Sequence, residues 1–398
     1  MARGTNLEQT REYNRRAVLG VLMRGTVVSR TEIAKLTGLS LTGVSSIVDD
    51  LVRLGRVEPQ GRRPTARGQP PIDYKVAAGG AFAIGVALDR DHLIAVLVDL
   101  AGEVRAERRM PMAEPTLSEA ADALGALVTE LTSHLSRQER GRLLGLCVGI
   151  PGLVTPAGRV RRMVRLPSWE GQDIAAALSS ATSLPTTIVN DAIAAGVGAA
   201  QYGPMRGTET FFYVLFALGM GSSLMMRGHP YRGLWEATGR IGHIPIESDG
   251  EICPACGGRG CLSHYASVEA LVDRLQASGR AEDQDWTPSL EAIGARHAAG
   301  DPIVEQWLEQ AANALARGLI VMENLLDPDA YVFDGRMPRE LLEALVSRTE
   351  ERYLATRPHG LHDRRLRLRV GDHGDLAVAF GAASVPLYLA TSADLALL

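Results

Sequence analysis

The sequence has few cysteines, few lysines and few aromatic residues, and it contains no long apolar run. Four cysteines in 398 residues cannot form a disulfide framework, which favours a reducing cytoplasm. Glycine or charge interrupts the apolar stretches, so no membrane span is expected, and the first twenty residues lack the apolar core of a signal peptide. What remains is the composition of a globular protein, with 46% hydrophobic and 22% charged residues. At about 150 residues per domain, this length predicts two or three folding units.

The net charge of −4 conceals a basic head and an acidic body. Residues 1–76 hold 13 basic and 7 acidic side chains, a net of +6, whereas the remaining residues hold 29 and 39, a net of −10. This asymmetry suggests that only the head approaches a polyanion. Because small arginine-rich domains are common, the charge does not by itself establish nucleic-acid binding.

Residues 1–76 contain the pattern of three helices. The apolar positions between Arg11 and Met23 follow the period of an amphipathic helix. Ser29 and Glu32 then have the spacing of a capping box at the start of a second helix, and Gly38 supplies the turn that follows it. The apolar side of this second helix is predicted to consist of Ile33, Leu36 and Leu39.

The third helix is predicted to begin after its N-cap, Ser40, and to end at Gly55. Its buried face is expected to hold Val44, Ile47, Val48, Leu51 and Leu54. Small polar residues open the helix and would allow close approach to base edges and phosphates. The predicted DNA-contacting residues of this helix are Ser40, Thr42, Gly43, Ser45 and Ser46.

A strand-like Arg56-Val57-Glu58 follows, and then the basic loop GRRPTARGQPP. This loop matches the wing of a winged helix, with Arg62, Arg63 and Arg67 on phosphates or in a narrow minor groove. Two alternatives remain open: the helices could form a plain helical hairpin, and the loop could be an interdomain linker stiffened by Pro70-Pro71. The loop can also serve as wing and linker at once. The head is therefore predicted to be a winged helix-turn-helix that binds double-stranded DNA.

From Phe82 onward, strand patterns with hairpin turns precede helical patterns, and this succession occurs twice. The predicted strands include LLGLCVGIPG, TTIVN and FFYVLFALGMGSS, and the predicted turns lie at Ala101-Gly102, at 155–158 and around Gly228. Meanders followed by helices indicate an α/β protein with two related lobes. We divide the chain into a head with linker (1–76) and a body (77–398). The first lobe is expected to span about 77–189 plus 371–398, and the second about 190–370.

Seven segments of the body resemble the ROK family (repressors, open reading frames and kinases). They are VGIPGLV, LPSWEG, VNDAIAAGVGAA, GMGSSL, TGRIGHIPI, CPACGGRGCLSHYAS and AFGAASVPLYLA. With the head, the whole chain is similar to the transcriptional regulators of this family, in the branch of the N-acetylglucosamine and xylose repressors. The resemblance implies an actin-like, ribonuclease-H-like sugar-kinase fold with two lobes for residues 77–398.

One imidazole and three thiols lie within nineteen residues, at His243, Cys253, Cys256 and Cys261. The spacing of Cys253 and Cys256 lets two thiolates meet one ion, and one histidine with three cysteines closes a tetrahedral shell without an open position. We therefore predict a structural zinc ion, with three unligated thiols as the alternative. Cys147 lies in a predicted strand and is more simply a buried apolar residue.

The resemblance agrees with this metal site, because family members usually bind zinc through such a histidine and cysteine loop. The first thiol, Cys253, is offset by one residue from the more common C-x-C form, which leaves Cys256 and Cys261 as the ligands that match the family. His264 is a nearby spare, expected in the loop or the site rather than as a ligand.

The resemblance also implies a sugar site. Asn190 and Asp191 lie at a predicted strand-to-helix junction. In the family's kinases the equivalent aspartate is the catalytic base, and the asparagine and aspartate together bind sugar hydroxyls. The alternative role is an N-cap for the helix that follows. Arg240 and Ser263 stand where the family has two sugar-binding glutamates, so this pocket has lost acceptors and gained a donor. With His243, these residues are the predicted effector-binding set. The effector would be an anionic sugar derivative, or none is sensed.

Two phosphate-binding turns of the family kinases are altered. The turn after the first strand of the body reads ALDRDH (87–92), with charged residues in place of both glycines. Asp89 and Asp91 would repel a triphosphate. In the second lobe, Ser223 and Asp334 stand where the family usually has glycine. ATP binding is therefore not expected, and the chain is predicted not to be an enzyme.

Together these features predict a cytoplasmic DNA-binding regulator, of the repressor type, for carbohydrate-related genes. The body is expected to sense a sugar or sugar derivative without catalysis. Because one short recognition helix covers few base pairs, a homodimer or homotetramer on an inverted-repeat operator is expected. Two alternatives remain: a regulator that has lost its ligand and answers to a partner protein or to its own abundance, and a ROK sugar kinase with an appended head.

Overall fold

A computed structural model describes residues 7–23, 25, 27–62, 71–155, 157–163, 166–278, 289–357 and 367–392. The chain divides into two compact units. The first unit consists of residues 1–189 and 379–398, and the second of residues 190–378.

The head is built from three helices and a three-stranded sheet. Its elements are α1 (Leu7–Met23), β1 (Val28–Ser29), α2 (Arg30–Thr37), α3 (Leu41–Arg53), β2 (Val57–Arg62) and β3 (Ile72–Val76), with strand order β1-β3-β2. The predicted capping box is confirmed: Ser29 Oγ accepts from the Glu32 amide, and the Ser29 amide donates to Glu32 Oε2 at 2.7 Å. Ser40 Oγ accepts from the Gly43 amide at 3.1 Å, so the N-cap of α3 is confirmed too.

The core of the head contains most of the predicted apolar positions. Fully buried side chains include Val18, Leu22, Ile33, Val44, Val48 and Leu51. Two predicted core positions are wrong: Leu36 is 59% exposed and Leu54 is 47% exposed. Both lie at the ends of their helices, and Ile33 is the side chain through which the eight-residue α2 packs. Helical period places a residue on a face, but it does not say how far along the helix the packing extends.

The basic segment after β2 joins two strands of one hairpin. Strands β2 and β3 pair antiparallel, with Val57 opposite Val76 and Arg62 opposite Ile72. Arg63, Arg67 and Pro70 lie outside the described residues. The prediction that this segment also links head to body is wrong, because the chain returns along β3 and enters the body through residues 77–81.

In the first unit, the body forms a five-stranded sheet of order β10-β7-β4-β5-β6. Its elements are β4 (Phe82–Leu88), β5 (His92–Asp99), β6 (Val104–Pro111), α4 (Leu117–Thr132), α5 (Arg137–Arg140), β7 (Leu143–Ile150), α6 (Ile174–Thr182) and β10 (Thr186–Asn190), with the small hairpin β8 (Leu153–Val154) and β9 (Val160–Arg162). Every residue of β4 is buried. This unbroken apolar run packs with α4 in one core and is typical of a central strand.

The second unit repeats the succession of meander and helices. Its elements are α7 (Asp191–Gln201), β11 (Thr210–Phe216), β12 (Met220–Met226), β13 (His229–Tyr231), α8 (Ser263–Ala266), α9 (Val268–Ala277), α10 (Leu290–Ala298), α11 (Pro302–Leu326), β14 (Ala330–Gly335), α12 (Arg339–Thr356) and β15 (Leu368–Val370). The last helix, α13 (Ala377–Thr391), belongs to the first unit from Ala379 onward. The sheet order is β13-β12-β11-β14-β15. The segment FFYVLFALGMGSS, predicted as one strand, is an antiparallel pair in which Phe216 faces Met220.

Residues Gly374–Thr391 are long and apolar enough to cross a membrane, but 61% of the segment is buried inside the protein. Helix α13 makes up most of this segment. Gly85 on β4 packs so closely that an added Cβ would lie 2.0 Å from the Ala379 carbonyl oxygen. The helix is therefore part of the core of the fold.

Candidate functional site

The structure brings His243, Cys253, Cys256 and Cys261 together, and their ligand atoms all lie within 4.8 Å of one another. Cys253 Sγ is 3.7 Å from His243 Nδ1, and Cys256 Sγ is 3.5 Å from Cys261 Sγ. Ligands of a tetrahedral zinc ion lie about 3.5–3.8 Å apart. The cluster is therefore of a size that can hold a metal ion, and it includes Cys253 despite its offset position.

Backbone contacts of the cysteine loop hold the thiols together. The Cys253 amide donates to the Gly258 carbonyl at 2.7 Å, and the Gly257 amide donates to the Cys253 carbonyl at 2.8 Å. Gly260 has a φ of +61°, and a Cβ there would lie 1.8 Å from the Glu247 carbonyl oxygen. Only glycine fits at that position, so Gly260 is required for the turn that brings Cys261 to Cys253.

The pKa values of two of the thiols shift in opposite directions. The amide of Gly258 donates to Cys256 Sγ, which lowers the pKa of this exposed thiol. Burial raises the pKa of Cys261 to about 12. Three sulfur donors with one imidazole form a soft ligand set that suits zinc, whose charge would stabilise all three thiolates.

Two nearby predictions also have structural outcomes. His264 Nε2 lies 3.1 Å from Glu251 Oε2 in an ion pair and is not a member of the cluster. Cys147 is fully buried in β7 of the first unit, and burial raises the pKa of its thiol. It is a packing residue, as its apolar surroundings in the sequence predicted.

Asn190 and Asp191 lie where β10 ends and α7 begins. Asn190 is the N-cap, with its side-chain oxygen accepting from the Ile193 amide at 3.1 Å. Asp191 Oδ1 accepts from the Ala192 amide at 2.7 Å. Because α7 is buried along most of its length, its first turn is firmly placed. The capping role expected from the sequence is present.

The start of β12 connects this helix end to the metal cluster. A Cβ on Gly221 would lie 3.4 Å from Ala192, directly after Asp191, and a Cβ on Gly242 would lie 2.7 Å from the Met220 carbonyl oxygen. Asp191 and His243 therefore flank the same end of one strand, although 52 residues separate them in the chain.

The other two predicted effector residues lie around His243. Arg240 is exposed and directly precedes the 3-10 helix Ile241–His243. Ser263 begins α8, and its Cβ would be 3.3 Å from a Cβ on Gly242. The second unit thus gathers a cation, an imidazole and a hydroxyl around one short helix.

Trp169 and Trp235, whose rings could stack on a sugar, have different environments. Trp169 is fully buried and donates from Nε1 to the Pro115 carbonyl at 2.9 Å, so it is a core residue of the first unit. Trp235 is 69% exposed in the loop before Arg240. Of the two, Trp235 is the one that remains open to a ligand.

The turn between β4 and β5 is occupied by its own carboxylates. Asp89 Oδ1 accepts from the Arg90 amide at 2.7 Å, and Asp91 Oδ1 lies 2.6 Å from His92 Nδ1. The Asp89 amide donates to the His92 carbonyl at 3.0 Å and closes the turn. A phosphate approaching this turn would meet negative side chains rather than free amides.

In the second unit, Asp334 lies where the parallel strands β11, β14 and β15 end. Its carboxylate accepts from the amides of Gly335, Gly374 and His373, at 2.9, 2.9 and 3.3 Å, and from Tyr213 Oη at 2.8 Å. A Cβ on Gly371 would lie 2.1 Å from Asp334 Oδ2. Open α/β sheets bind ligands in the crevice at the carboxyl ends of their strands, and this crevice contains the protein's own carboxyl group. The sequence gives no local signal for Tyr213, which β11 places opposite Val332, two residues before Asp334.

The head presents the predicted polar face on α3. Thr42 and Ser46 are exposed, one helical turn apart, and Ser45 is half-buried. Arg62 is exposed at the end of β2. Leu41 is 51% exposed beside Thr42, which the apolar pattern did not predict. Arg30 pairs with Asp49 at 2.6 Å, so the acidic end of α3 is neutralised within the head.

Comparisons with known proteins agree on one family. The family model described as ROK family matches residues 83–387. A putative xylose repressor from Caldicellulosiruptor sp. (strain Rt8B.4) is 24% identical over 94% of this chain and 95% of its own length. The Escherichia coli K12 DNA-binding transcriptional dual regulator NagC is 25% identical over 86% of each chain.

Two solved structures share the fold. A ROK family transcriptional regulator, a homologue of the E. coli MLC protein, aligns with a TM-score of 0.75 at 22% identity, over 96% of this chain and 98% of its own. A ROK family glucokinase from Streptomyces griseus, in complex with glucose and AMPPNP, aligns with a TM-score of 0.65 at 22% identity, over 77% of this chain and 99% of its own. The body has the two-lobed α/β fold of the sugar kinases. Because the family model matches most of its length, this chain belongs to the ROK family.

Proposed function

We propose that this protein is a DNA-binding transcriptional regulator, of the repressor type, whose body senses a carbohydrate-type effector and does not catalyse phosphoryl transfer. The observation that carries the proposal is the head. The family match begins at residue 83, after the head, and the glucokinase aligns with 77% of the chain whereas the regulator aligns with 96%. Relatives of nearly full length are named xylose repressor and N-acetylglucosamine repressor.

The head has the features of a winged helix-turn-helix. Helices α2 and α3 are joined by a turn at Gly38, whose φ is +71°. The exposed side of α3 offers Thr42, Ser45 and Ser46 to base edges. The N-terminus of the helix, where the Gly43 amide donates to the N-cap Ser40, suits a phosphate. The β2–β3 hairpin is the wing, with Arg62 at its described end; Arg63 and Arg67, the other predicted wing contacts, lie outside the described residues. The charge of +6 on residues 1–76 supplies the attraction to DNA.

Asn190, Asp191, His243, Arg240 and Ser263 are the residues we assign to the effector. Amide, carboxylate and hydroxyl groups bind sugar hydroxyls, and the exposed guanidinium of Arg240 would pair with a phosphate or carboxylate on a sugar derivative. A zinc ion on His243, Cys253, Cys256 and Cys261 would have no open coordination position and would therefore be structural. Its contribution would be to fix the imidazole beside the effector site.

The kinase alternative is opposed by the carboxylates at two nucleotide-binding positions. Asp89 and Asp91 line the first turn, and Asp334 fills the crevice of the second unit. We further propose a homodimer or homotetramer on an inverted repeat in the cytoplasm. The alternative regulator, which has lost its ligand, would share every feature of the head but none of the effector response.

Selection of duplexes from a random pool tests the DNA-binding proposal. An enriched inverted repeat is expected, and failure to enrich any sequence at 50 mM salt would contradict it. A thermal-shift panel of neutral, phosphorylated and acidic sugars then separates the two regulators, because a ligand of the folded state raises the Tm. A shift with an acidic or phosphorylated sugar that disappears in Arg240→Ala supports the assigned site. No shift with any sugar favours the ligand-independent regulator.

A further inference from the structure

The head touches the body through more than its chain connection. After β3 the chain passes through the 3-10 helix Ala78–Gly80 and enters β4 at Phe82. The Ala77 amide donates to the Arg56 carbonyl at 2.9 Å. A Cβ on Gly80 would lie 2.7 Å from Arg56 Cα and 2.9 Å from the Gly55 carbonyl oxygen. The turn that follows α3 therefore lies directly against the entry to the body.

Arg142, a residue of the body, completes this contact. Its Nη1 donates to the Gly79 carbonyl at 2.7 Å. The guanidinium lies against Gly55, where a Cβ would be 2.6 Å from Nη2 and 3.2 Å from Cζ. The backbone of Arg142 is fixed in the body, because its amide donates to the Glu139 carbonyl at 2.9 Å and its carbonyl accepts from the Phe82 amide at 3.1 Å.

The contacted turn is continuous with the last turn of α3. The Gly55 amide donates to the Val52 carbonyl and the Arg56 amide to the Leu51 carbonyl, both at 2.9 Å. Gly55 has a φ of +68°, and its missing side chain makes room for the guanidinium. A movement of Arg142 relative to Gly55 would therefore change the direction of α3.

We propose that Arg142 is a positioning residue that fixes the orientation of α3 on the body and thereby sets the half-site spacing that the oligomer reads. The inference rests on the proposed DNA-binding function. Two helix-turn-helix heads bind two half-sites without losing further conformational freedom only when both recognition helices are already held at the separation of the half-sites. If the head moves freely on the body, the effective concentration of the second head at its half-site falls, and the affinity for the pair of half-sites falls with it. Each head can still bind a single half-site.

The test compares wild type, Arg142→Ala, Arg142→Lys and the control Arg140→Ala. Arg140 lies two residues away and donates to the Leu135 and Ser133 carbonyls within the body. Each full-length protein is titrated with a duplex that carries one half-site of the selected operator. The titration is then repeated with inverted repeats whose spacer varies by one base pair at a time.

We expect wild type and Arg140→Ala to prefer one spacing. Arg142→Ala should lose about tenfold in affinity at that spacing, keep its single half-site affinity, and bind the other spacings with nearly equal affinity. Arg142→Lys keeps a donor for the Gly79 carbonyl but lacks the planar guanidinium that packs against Gly55. Its affinity and its spacing preference should lie between those of wild type and Arg142→Ala.

Three results would overturn the inference: an unchanged spacing profile in Arg142→Ala, an equal loss on the single half-site, or a wild type that gains nothing from a second half-site at any spacing. A wild type that binds no duplex at all would refute DNA binding itself, which is a separate outcome.

Discussion

Tyr213 donates a hydrogen bond to Asp334 across the parallel strands β11 and β14, at 2.8 Å between Oη and Oδ2. Both residues are buried, and desolvation raises the pKa of the Asp334 carboxyl, although its hydrogen bonds act in the opposite direction. The pair lies at the end of the sheet, where the resemblance to the family's kinases implies a phosphate-binding glycine. The hydroxyl and three amides that could bind an external anion are instead used within the protein.

Tyr213→Phe should destabilise the second unit. The substitution removes one donor from a buried carboxyl group, and the loss of a hydrogen-bond partner at a buried acceptor costs about 1–3 kcal/mol. Chemical denaturation measures the loss. Tyr331→Phe is the control, because among the described residues the buried Tyr331 hydroxyl has no hydrogen-bond partner. Its removal should cost little, and equal losses for the two variants would contradict the role assigned to Asp334.

Phosphoryl transfer should be absent. With Mg-ATP and glucose, xylose or N-acetylglucosamine, nucleotide consumption should stay at background, and AMPPNP should leave the Tm unchanged, because we propose that Asp89, Asp91 and Asp334 stand at the phosphate-binding positions of the family's kinases. A ROK glucokinase serves as the positive control in the same coupled assay. Turnover that scales with protein concentration and disappears in Asp191→Asn would show a working kinase.

Zinc should be present at about one ion per chain, and Cys256→Ala or Cys261→Ala should remove it. Losing the ion leaves thiols without a counter-charge and frees the loop at 253–261, so the Tm should fall by about 5 °C or more. Elemental analysis and calorimetry are the measurements. Cys147→Ser is the control for loss of a thiol and should keep its zinc. Metal-free wild type, purified without chelator, would refute the assignment.

DNA binding should depend strongly on salt, with separate roles for two groups of residues. Arg62→Ala should weaken binding to all sequences and reduce the slope of log K against log salt by about 1. Thr42→Ala or Ser45→Ala should change the preferred sequence at a cost of about 1–3 kcal/mol for the original one. Arg108→Ala, on β6 in an ion pair with Glu130, is the control. Unchanged affinity and preference in all head variants would refute the winged-helix interpretation.

The protein should be an oligomer in solution. Two heads are needed because α3 has thirteen residues and offers few side chains to one groove. Light scattering during size-exclusion chromatography should give a dimer or tetramer of the 42.6 kDa chain. A single 42.6 kDa species at micromolar concentration would count against an inverted-repeat operator.

The sequence by itself determined features that depend on a few neighbouring residues. The capping box at Ser29, the N-cap at Ser40 and the turn at Gly38 were all predictable, because a cap or a turn is specified within about four residues. The cysteine cluster was predictable for a similar reason, since its four ligand residues lie within one short segment. The segments that resemble the ROK family also pointed to the two-lobed body.

The tertiary structure decided what depends on distant segments. Asp334 meets Tyr213, 121 residues earlier in the chain, and the amides of His373 and Gly374, so its environment exists only once β11, β14 and the segment between β15 and α13 are assembled. Arg142 reaches Gly55 and Gly79 in the same way. Leu36 has the period of a core residue, yet it is exposed. Periodicity gives the face of a helix, but only packing against other segments decides which part of that face is covered.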